Sequence, residues 1–110
     1  MEFEEYEANA ALTAKYPADQ GIIYCALGLA NEAGEVLGKI KKLIRDHDNF
    51  DAGLIEKRED VAAELGDVLW YLAMLAKEID IPLSKIAHAN NEKLKDRLKR
   101  GVIKGSGDKR

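Results

Sequence analysis

Apolar residues recur at intervals of three and four positions along two long segments of the chain. This spacing matches the turn of an α-helix and predicts one apolar stripe on each segment, which must be buried against a partner. The stripe of the first segment consists of Ile22, Ala26, Ala30, Ala33, Val36, Leu37, Ile40 and Ile44. The stripe of the second consists of Val61, Leu65, Val68, Leu69, Leu72, Leu75, Ala76 and Ile79. No segment shows the alternation typical of a β-strand, so we expect an all-α fold.

Turn residues divide the 110-residue chain into four helical segments. Pro17 ends the first segment and Pro82 begins the last, and the stretch DHDNFDAG from Asp46 to Gly53 separates the middle two. The predicted helices span residues 2–15, 21–45, 55–79 and 83–100. A chain of this length favours a single domain, residues 1–110, in which residues 101–110 form a flexible tail.

The composition indicates the class of protein. A hydrophobic fraction of 46% with 34% charged residues is typical of a soluble globular domain, and the net charge of -3 provides no overall basic field for nucleic acid. The single cysteine, Cys25, cannot form an intramolecular disulfide. The longest apolar run, residues 68–76, is too short to span a membrane, and the acidic start MEFEEYE does not resemble a signal peptide. We therefore expect a cytoplasmic protein with no nucleic-acid or membrane partner.

Two acidic motifs interrupt the apolar pattern. The stretch NEAGEVLGKIKK begins at Asn31 and the stretch AELGD begins at Ala63, and each places a glycine between two carboxylates three positions apart. Glycine costs a helix interior roughly 1 kcal/mol relative to alanine, and like charges one turn apart repel each other. A compensating interaction is therefore expected at both motifs.

The helical period predicts where these acids lie. Glu32 and Glu35 fall on one rim of the first stripe, which centres near Ala33, and Glu64 and Asp67 fall on the equivalent rim of the second, which centres near Leu65. A connection of roughly ten residues favours antiparallel packing of the two helices. Four carboxylates would then line one side of one seam between the helices.

Crowded carboxylates at the edge of a core need a counter-charge, because repulsion and desolvation raise their pKa values. Mg²⁺ or Mn²⁺, which prefer oxygen ligands, would supply it. Zinc and a ferritin-like centre fit less well, because neither His47 nor His88 has the necessary spacing from these acids. We interpret Gly34 and Gly66 as clearance for a closely approaching helix or ligand. In the alternative interpretation, Glu35 pairs with Lys39 one turn away and the other acids face solvent.

The motif EAGE followed by ELGD on the next helix resembles the ExxE…ExxD signature of the MazG-like, all-α nucleoside triphosphate pyrophosphohydrolases. The stretches GLANEAGEVLGKIKK, AAELGDVLWYLAMLA, ANNEKLKDR and GSGDKR are similar to those of small single-domain members, many of them bacterial or phage-encoded. The resemblance covers nearly the whole chain from Leu27 onward, whereas the first twenty residues are less diagnostic.

This resemblance implies a four- to five-helix bundle that is completed by homo-oligomerisation, as a homodimer or homotetramer. It also implies Mg²⁺-dependent cleavage of a nucleoside triphosphate, with deoxynucleotides or modified nucleotides as expected substrates, to a monophosphate and pyrophosphate. By motif position, the metal ligands and catalytic acids are Glu32, Glu35, Glu64 and Asp67. One of these acids, or an acid beside them, would deprotonate the attacking water.

Further residues are candidates for substrate binding. Lys39 and Lys42 lie on the acid side of their helix and either contact triphosphate oxygens or balance neighbouring charge. Tyr71 follows Asp67 by four positions and could stack on a nucleotide or donate a hydrogen bond to it. The resemblance adds Asn91, Lys93 and Arg97 on the last helix, and Lys109 and Arg110 in a tail that is either solvated or a phosphate clamp.

Two other functions stay open at this stage. A non-catalytic helical interaction module would carry the acidic pairs as a solvated face and bind a partner through its basic end. Metal ions would not stabilise such a module, and it would not turn over a substrate. A hydrolase of a non-canonical nucleotide would use the same acids on a different substrate.

Overall fold

The computed structural model describes residues 1–110 and consists of four α-helices with short connections. Helix α1 spans Phe3–Ala11, α2 spans Gly21–Asp46, α3 spans Phe50–Glu78 and α4 spans Leu83–Arg100. A single 3-10 turn at Ala18–Gln20 leads into α2. The chain contains no β-strand, which confirms the predicted all-α class. None of the helices is sufficiently long and apolar to cross a bilayer.

Two helix ends differ from the predicted positions. Helix α1 ends at Ala11 rather than at residue 15, and the Thr13 hydroxyl donates a hydrogen bond of 3.0 Å to the Ala10 carbonyl in the turn that follows. Helix α3 begins at Phe50, because the Asn49 side chain accepts a hydrogen bond of 3.0 Å from the Ala52 amide and caps the helix. The predicted turn over residues 46–53 is therefore wrong, and only residues 47–49 separate α2 from α3.

Helices α2 and α3 form a long antiparallel hairpin. Positions early in α2 lie against positions late in α3, and the order reverses towards the connection. The neighbouring pairs are Gly21 with Glu78, Gly28 with Tyr71, Lys39 with Glu64, and His47 with Gly53. The predicted antiparallel packing is confirmed, and it brings the two acidic motifs opposite each other.

The core lies at one end of this hairpin. Cys25 and Met74 are fully buried there, together with Ala10, Ala73 and Leu83. Within 8 Å between Cα atoms, α1 and α4 approach α3 and each other but not α2. The Glu7 carboxylate accepts a hydrogen bond from the Leu83 amide, which anchors the first turn of α4 to α1. The other half of the hairpin extends beyond the core as a two-helix arm.

The predicted apolar stripe of α2 is mostly exposed and does not form the seam with α3, whereas in the α3 stripe Ala76 is buried and Leu69 and Leu75 pack against the core. Ala33, the predicted centre of the first stripe, is exposed, and Leu37 and Leu65 expose 70% and 52% of their surface. The buried residues of α2 are Gly21, Cys25 and Leu43, none of which belongs to that stripe. The helical period identifies an apolar face but not the neighbour that covers it. In this chain the apolar face of α2 points outward, and the part of the seam beside the acidic motifs contains Gly28, Glu32 and Glu64 instead.

Candidate active site

Three of the predicted acids converge across the α2–α3 seam. Glu32 extends from α2, and Glu64 and Asp67 extend from α3, one helical turn apart. One carboxylate oxygen from each lies within 4.8 Å of the other two. Glu32 and Glu64 are partly buried and Asp67 is exposed, so the group is open to solvent on one side.

The surroundings of this group disfavour its full ionisation. Burial raises the pKa of Glu32, and the negative charges of Asp67, Glu64 and Glu35 raise it further. A divalent cation would reverse this effect, because it would replace the repulsion between the carboxylates with attraction. All donors in the group are carboxylate oxygens, the ligand type that Mg²⁺ and Mn²⁺ prefer.

Glu35 lies one turn after Glu32 on α2 and is exposed. It adds to the negative potential at Glu32 but is not part of the group of three convergent carboxylates. The structure thus brings together three of the four predicted acids. The alternative pairing of Glu35 with Lys39 is absent, because the Lys39 ammonium lies 3.9 Å from a Glu64 carboxylate oxygen instead.

The glycines of the acidic motifs are not required for clearance within the chain. A Cβ atom added at Gly34 or Gly66 would have no neighbouring atom within 4 Å. The interpretation of these two glycines as points of close approach is therefore wrong for the α2–α3 seam. The glycines of α2 in close contact with α3 are Gly21, which meets the Glu78 side chain, and Gly28, one turn before Glu32, where the ring of Tyr71 packs against the backbone.

A small polar cavity adjoins the acids on the connection side. It has a volume of 190 Å³ and is lined by Lys39, Lys42, Leu43, Asp46, His47, Lys57 and Asp60. Two of the predicted substrate-binding lysines, Lys39 and Lys42, thus share one cavity, and Lys39 links it to Glu64.

The predicted residues of α4 and the tail lie in a separate group. Arg97, which is only 5% exposed, donates hydrogen bonds to the Asp108 backbone carbonyl and carboxylate, and the Lys93 ammonium lies 2.8 Å from the same carboxylate. These two cations lower the pKa of Asp108. Arg110 donates to three backbone carbonyl groups of the tail. Asn91 and Lys109 are exposed, and none of the cations in this group pairs with the acids of the seam.

Sequence reasoning missed a tyrosine cluster beside the acids. Burial and the Asp67 charge raise the pKa of Tyr6 on α1. The ring centroid of Tyr24 lies 6.3 Å from that of Tyr71 and 5.1 Å from that of Tyr16. The spacing on α2 was an available signal, because Tyr24, Gly28 and Glu32 follow each other at four-residue intervals and so share one face. Tyr6 and Tyr16 lie in the segment that gave the weakest resemblance.

Comparison with known proteins identifies the family. The MazG nucleotide pyrophosphohydrolase domain matches residues 20–102, which include α2, α3, α4 and all four motif acids. The chain belongs to the MazG family. A MazG relationship implies nucleotide pyrophosphohydrolase activity, and the group of Glu32, Glu64 and Asp67 is a possible site for the divalent metal that this family typically uses.

A relative from a bacteriophage extends the match beyond the MazG domain. The Gene 37 protein of Mycobacterium phage L5 is 45% identical over 118 aligned positions, which cover 100% of both chains. The name of this relative does not state an activity. No solved structure matches the chain.

Proposed function

We propose that this protein is a Mg²⁺-dependent nucleoside triphosphate pyrophosphohydrolase that acts on ribo- or deoxynucleotides. Cleavage between the α and β phosphates by water would give a nucleoside monophosphate and pyrophosphate. The observation that supports this proposal most strongly is the convergence of Glu32, Glu64 and Asp67 across the seam of a MazG domain.

The acids of the seam would hold the cation. When bound, Mg²⁺ or Mn²⁺ neutralises phosphate charge and activates water for attack at phosphorus. Displacement at phosphorus requires positioning and charge stabilisation rather than a covalent intermediate with the protein. A group of carboxylates without a nucleophile–base pair meets that requirement, and Cys25, the single thiol, is fully buried in the core.

Glu35 is the motif acid that the convergent group leaves free. Its carboxylate is exposed to solvent and lies one turn from Glu32 on the same helix. We assign to Glu35 the acceptance of the proton from the attacking water, in addition to its predicted contribution to metal binding.

The lysines beside the seam would bind the phosphates. Lys39 connects Glu64 to the cavity that contains Lys42 and Lys57, so phosphate oxygens bound there would lie directly beside the acids. Tyr71, Asn91, Lys93, Arg97, Lys109 and Arg110 remain predicted substrate contacts. For Lys93 and Arg97, phosphate binding would require displacement of the Asp108 carboxylate.

We also propose that the chain self-associates as a homodimer or homotetramer. Its accessible surface is 8202 Å², whereas a compact monomer of this mass exposes about 6,100 Å². Its radius of gyration is 17.1 Å, compared with about 13 Å for a compact chain of this length. The excess of about 2,100 Å² is larger than the area of about 800 Å² that each partner buries in a standard interface.

Pyrophosphate release from the eight standard nucleoside and deoxynucleoside triphosphates, with and without Mg²⁺, tests the proposed activity. We expect metal-dependent release that falls at least about 100-fold in Glu64→Gln, because one ligand of the cation is lost. Glu59→Gln is the matched control, since Glu59 lies on the same helix with 87% of its side chain exposed and outside the acidic group.

Release that persists in Glu64→Gln, or that is independent of metal, would contradict the role of the acids. No release from any of the eight nucleotides would contradict the proposed substrate class.

A further inference from the structure

The ring of Tyr71 occupies the space where a side chain at position 28 would lie. A Cβ atom added to Gly28 would lie 2.1 Å from Cε1, 2.4 Å from Cδ1 and 2.5 Å from Cζ of Tyr71. Non-bonded carbon atoms do not approach so closely, because optimal separations are about 3.5–4.0 Å. The ring therefore packs directly against the α2 backbone, and only glycine leaves room for it.

This contact lies next to the acidic group. Gly28 precedes Glu32 by four residues on α2, and Tyr71 follows Asp67 by four residues on α3. Four residues correspond to about 6 Å along a helix. Because the helices are antiparallel, the contact lies one turn from the acids in the same seam, on the side opposite to Lys39 and the polar cavity.

The Tyr71 ring is held in place by other aromatic residues. The Trp70 ring meets it edge-on, with centroids 4.9 Å apart and an interplanar angle of 85°. The Trp70 indole N–H donates to the Thr13 hydroxyl at 2.9 Å and to the Ala10 carbonyl at 3.2 Å. Tyr24 flanks Tyr71 from α2. The Tyr71 ring is therefore held between α2 and Trp70, which is itself anchored to the end of α1.

We propose that Tyr71 is a positioning residue, whose ring, packed against Gly28, sets the separation of α2 and α3 at which Glu32 meets Glu64 and Asp67. A larger or smaller spacer at this point would change the distance between the carboxylate of α2 and those of α3. The inference rests on the proposed role of these acids as metal ligands. It adds an action through the metal site to the predicted contact of Tyr71 with substrate.

The affinity for Mn²⁺, measured without nucleotide by titration calorimetry, tests this role. We expect Gly28→Ala to weaken binding about tenfold, the scale on which residues that orient metal ligands act, because the added methyl group displaces the ring. Tyr71→Ala removes the spacer and should cause a similar loss. Tyr71→Phe keeps the ring and should remain within twofold of the native affinity.

A matched control and a double variant distinguish positioning from general damage. Gly66→Ala makes the same change inside an acidic motif, but in open space, and should leave Mn²⁺ affinity unchanged. In Gly28→Ala combined with Tyr71→Ala, the added methyl group no longer meets the ring. The double variant should therefore lose less affinity than the two single losses together. Circular dichroism verifies that each variant is folded.

The outcomes separate this inference from the proposed function. Native protein that binds no Mn²⁺ would overturn both. Native binding that a folded Gly28→Ala variant retains in full would overturn the positioning role alone. An affinity loss in Tyr71→Phe as large as in Tyr71→Ala would also overturn it, because the hydroxyl rather than the ring would then be required.

Discussion

At the scale of single residues, Glu32 carries an energetic conflict. It lies across the seam from two acids and one turn before a third, in a partly buried position that raises its pKa. Without a bound cation, folding therefore disfavours the charged form of this carboxyl group relative to the unfolded chain. Such a conflict is expected where binding of a cation, rather than stability of the free protein, determines the residue.

This conflict predicts how stability depends on pH. The carboxyl group of Glu32 has a higher pKa in the folded than in the unfolded state. The free energy of unfolding should therefore fall as pH rises through the ordinary pKa of 4.5 towards the raised value. In EDTA, Glu32→Gln should remove this fall and melt at a higher temperature than the native protein at neutral pH. Mg²⁺ should stabilise the native protein but not the variant. Thermal melts at several pH values test this, and a Glu32→Gln variant that is less stable than native in EDTA would contradict it.

Glu35 should behave differently from the three convergent acids. If its main role is to accept a proton, Glu35→Gln should reduce kcat about 100-fold while Mn²⁺ affinity falls no more than about tenfold, less than in Glu64→Gln. Steady-state kinetics and metal titration on the same preparations measure the two effects. Loss of metal affinity equal to that of Glu64→Gln would instead make Glu35 an equivalent ligand of the cation.

At the scale of helices, two chain reversals use left-handed residues after a helix end. Asp80 has φ 58° and follows α3, where its amide donates to Lys77 and the Ile81 amide donates to Ala76. Gly101 has φ 72° and follows α4 with the equivalent bonds to Leu98 and Arg97. Both reversals satisfy the last carbonyl groups of their helix, but only the second uses the residue best suited to that conformation.

The difference between Asp80 and Gly101 predicts opposite effects of two substitutions on stability. Asp80→Gly should stabilise the protein by about 0.5 kcal/mol, because relief of left-handed strain exceeds the added freedom of the unfolded chain. Gly101→Ala should destabilise it by about 1 kcal/mol, because it introduces that strain. Urea denaturation measures both. A destabilising Asp80→Gly change would mean that the Asp80 side chain makes a favourable contribution of its own.

Helix content and the acidic group could be predicted from the sequence, because both depend on local spacing. The helix period and the two prolines gave four helices, and the glycine-split motifs gave three acids that do converge. The orientation of α2 could not be obtained in this way. Its strongest apolar stripe lies outside the seam, so Ala33 was wrongly expected to face α3. Tyr71 against Gly28 is a contact between distant positions, which periodicity does not reveal.

At the scale of the whole molecule, the exposed apolar residues of the two-helix arm and the large exposed surface have one explanation. Leu37 and Ile44 expose 70% and 71% of their surface on the α2 arm, and Ile55 and Leu65 are exposed on the α3 arm. A second copy of the chain would cover these residues. The regular stripe on α2 would then serve contact between subunits, while the irregular face toward α3 holds the acids.

This explanation predicts that the protein forms an oligomer and that one charged substitution in the apolar face weakens subunit association. Light scattering after size-exclusion chromatography should give at least twice the chain mass of 12.2 kDa. Leu37→Glu should shift the protein toward the monomer, because a buried unpaired charge is costly. Lys95→Gln changes net charge equally, at a position on α4 with 75% of its side chain exposed, and should leave the mass unchanged. A monomeric native protein at micromolar concentration would contradict the explanation.

The most direct test of the whole account is the identity of the products formed from one good substrate in the presence of Mg²⁺. Separation of the reaction mixture by ion-exchange chromatography should yield nucleoside monophosphate and pyrophosphate in equal amounts, with no diphosphate, and Glu64→Gln should yield neither. Nucleoside diphosphate with inorganic phosphate would mean attack at the terminal phosphate. That result would contradict the proposed pyrophosphohydrolase reaction at the acidic seam.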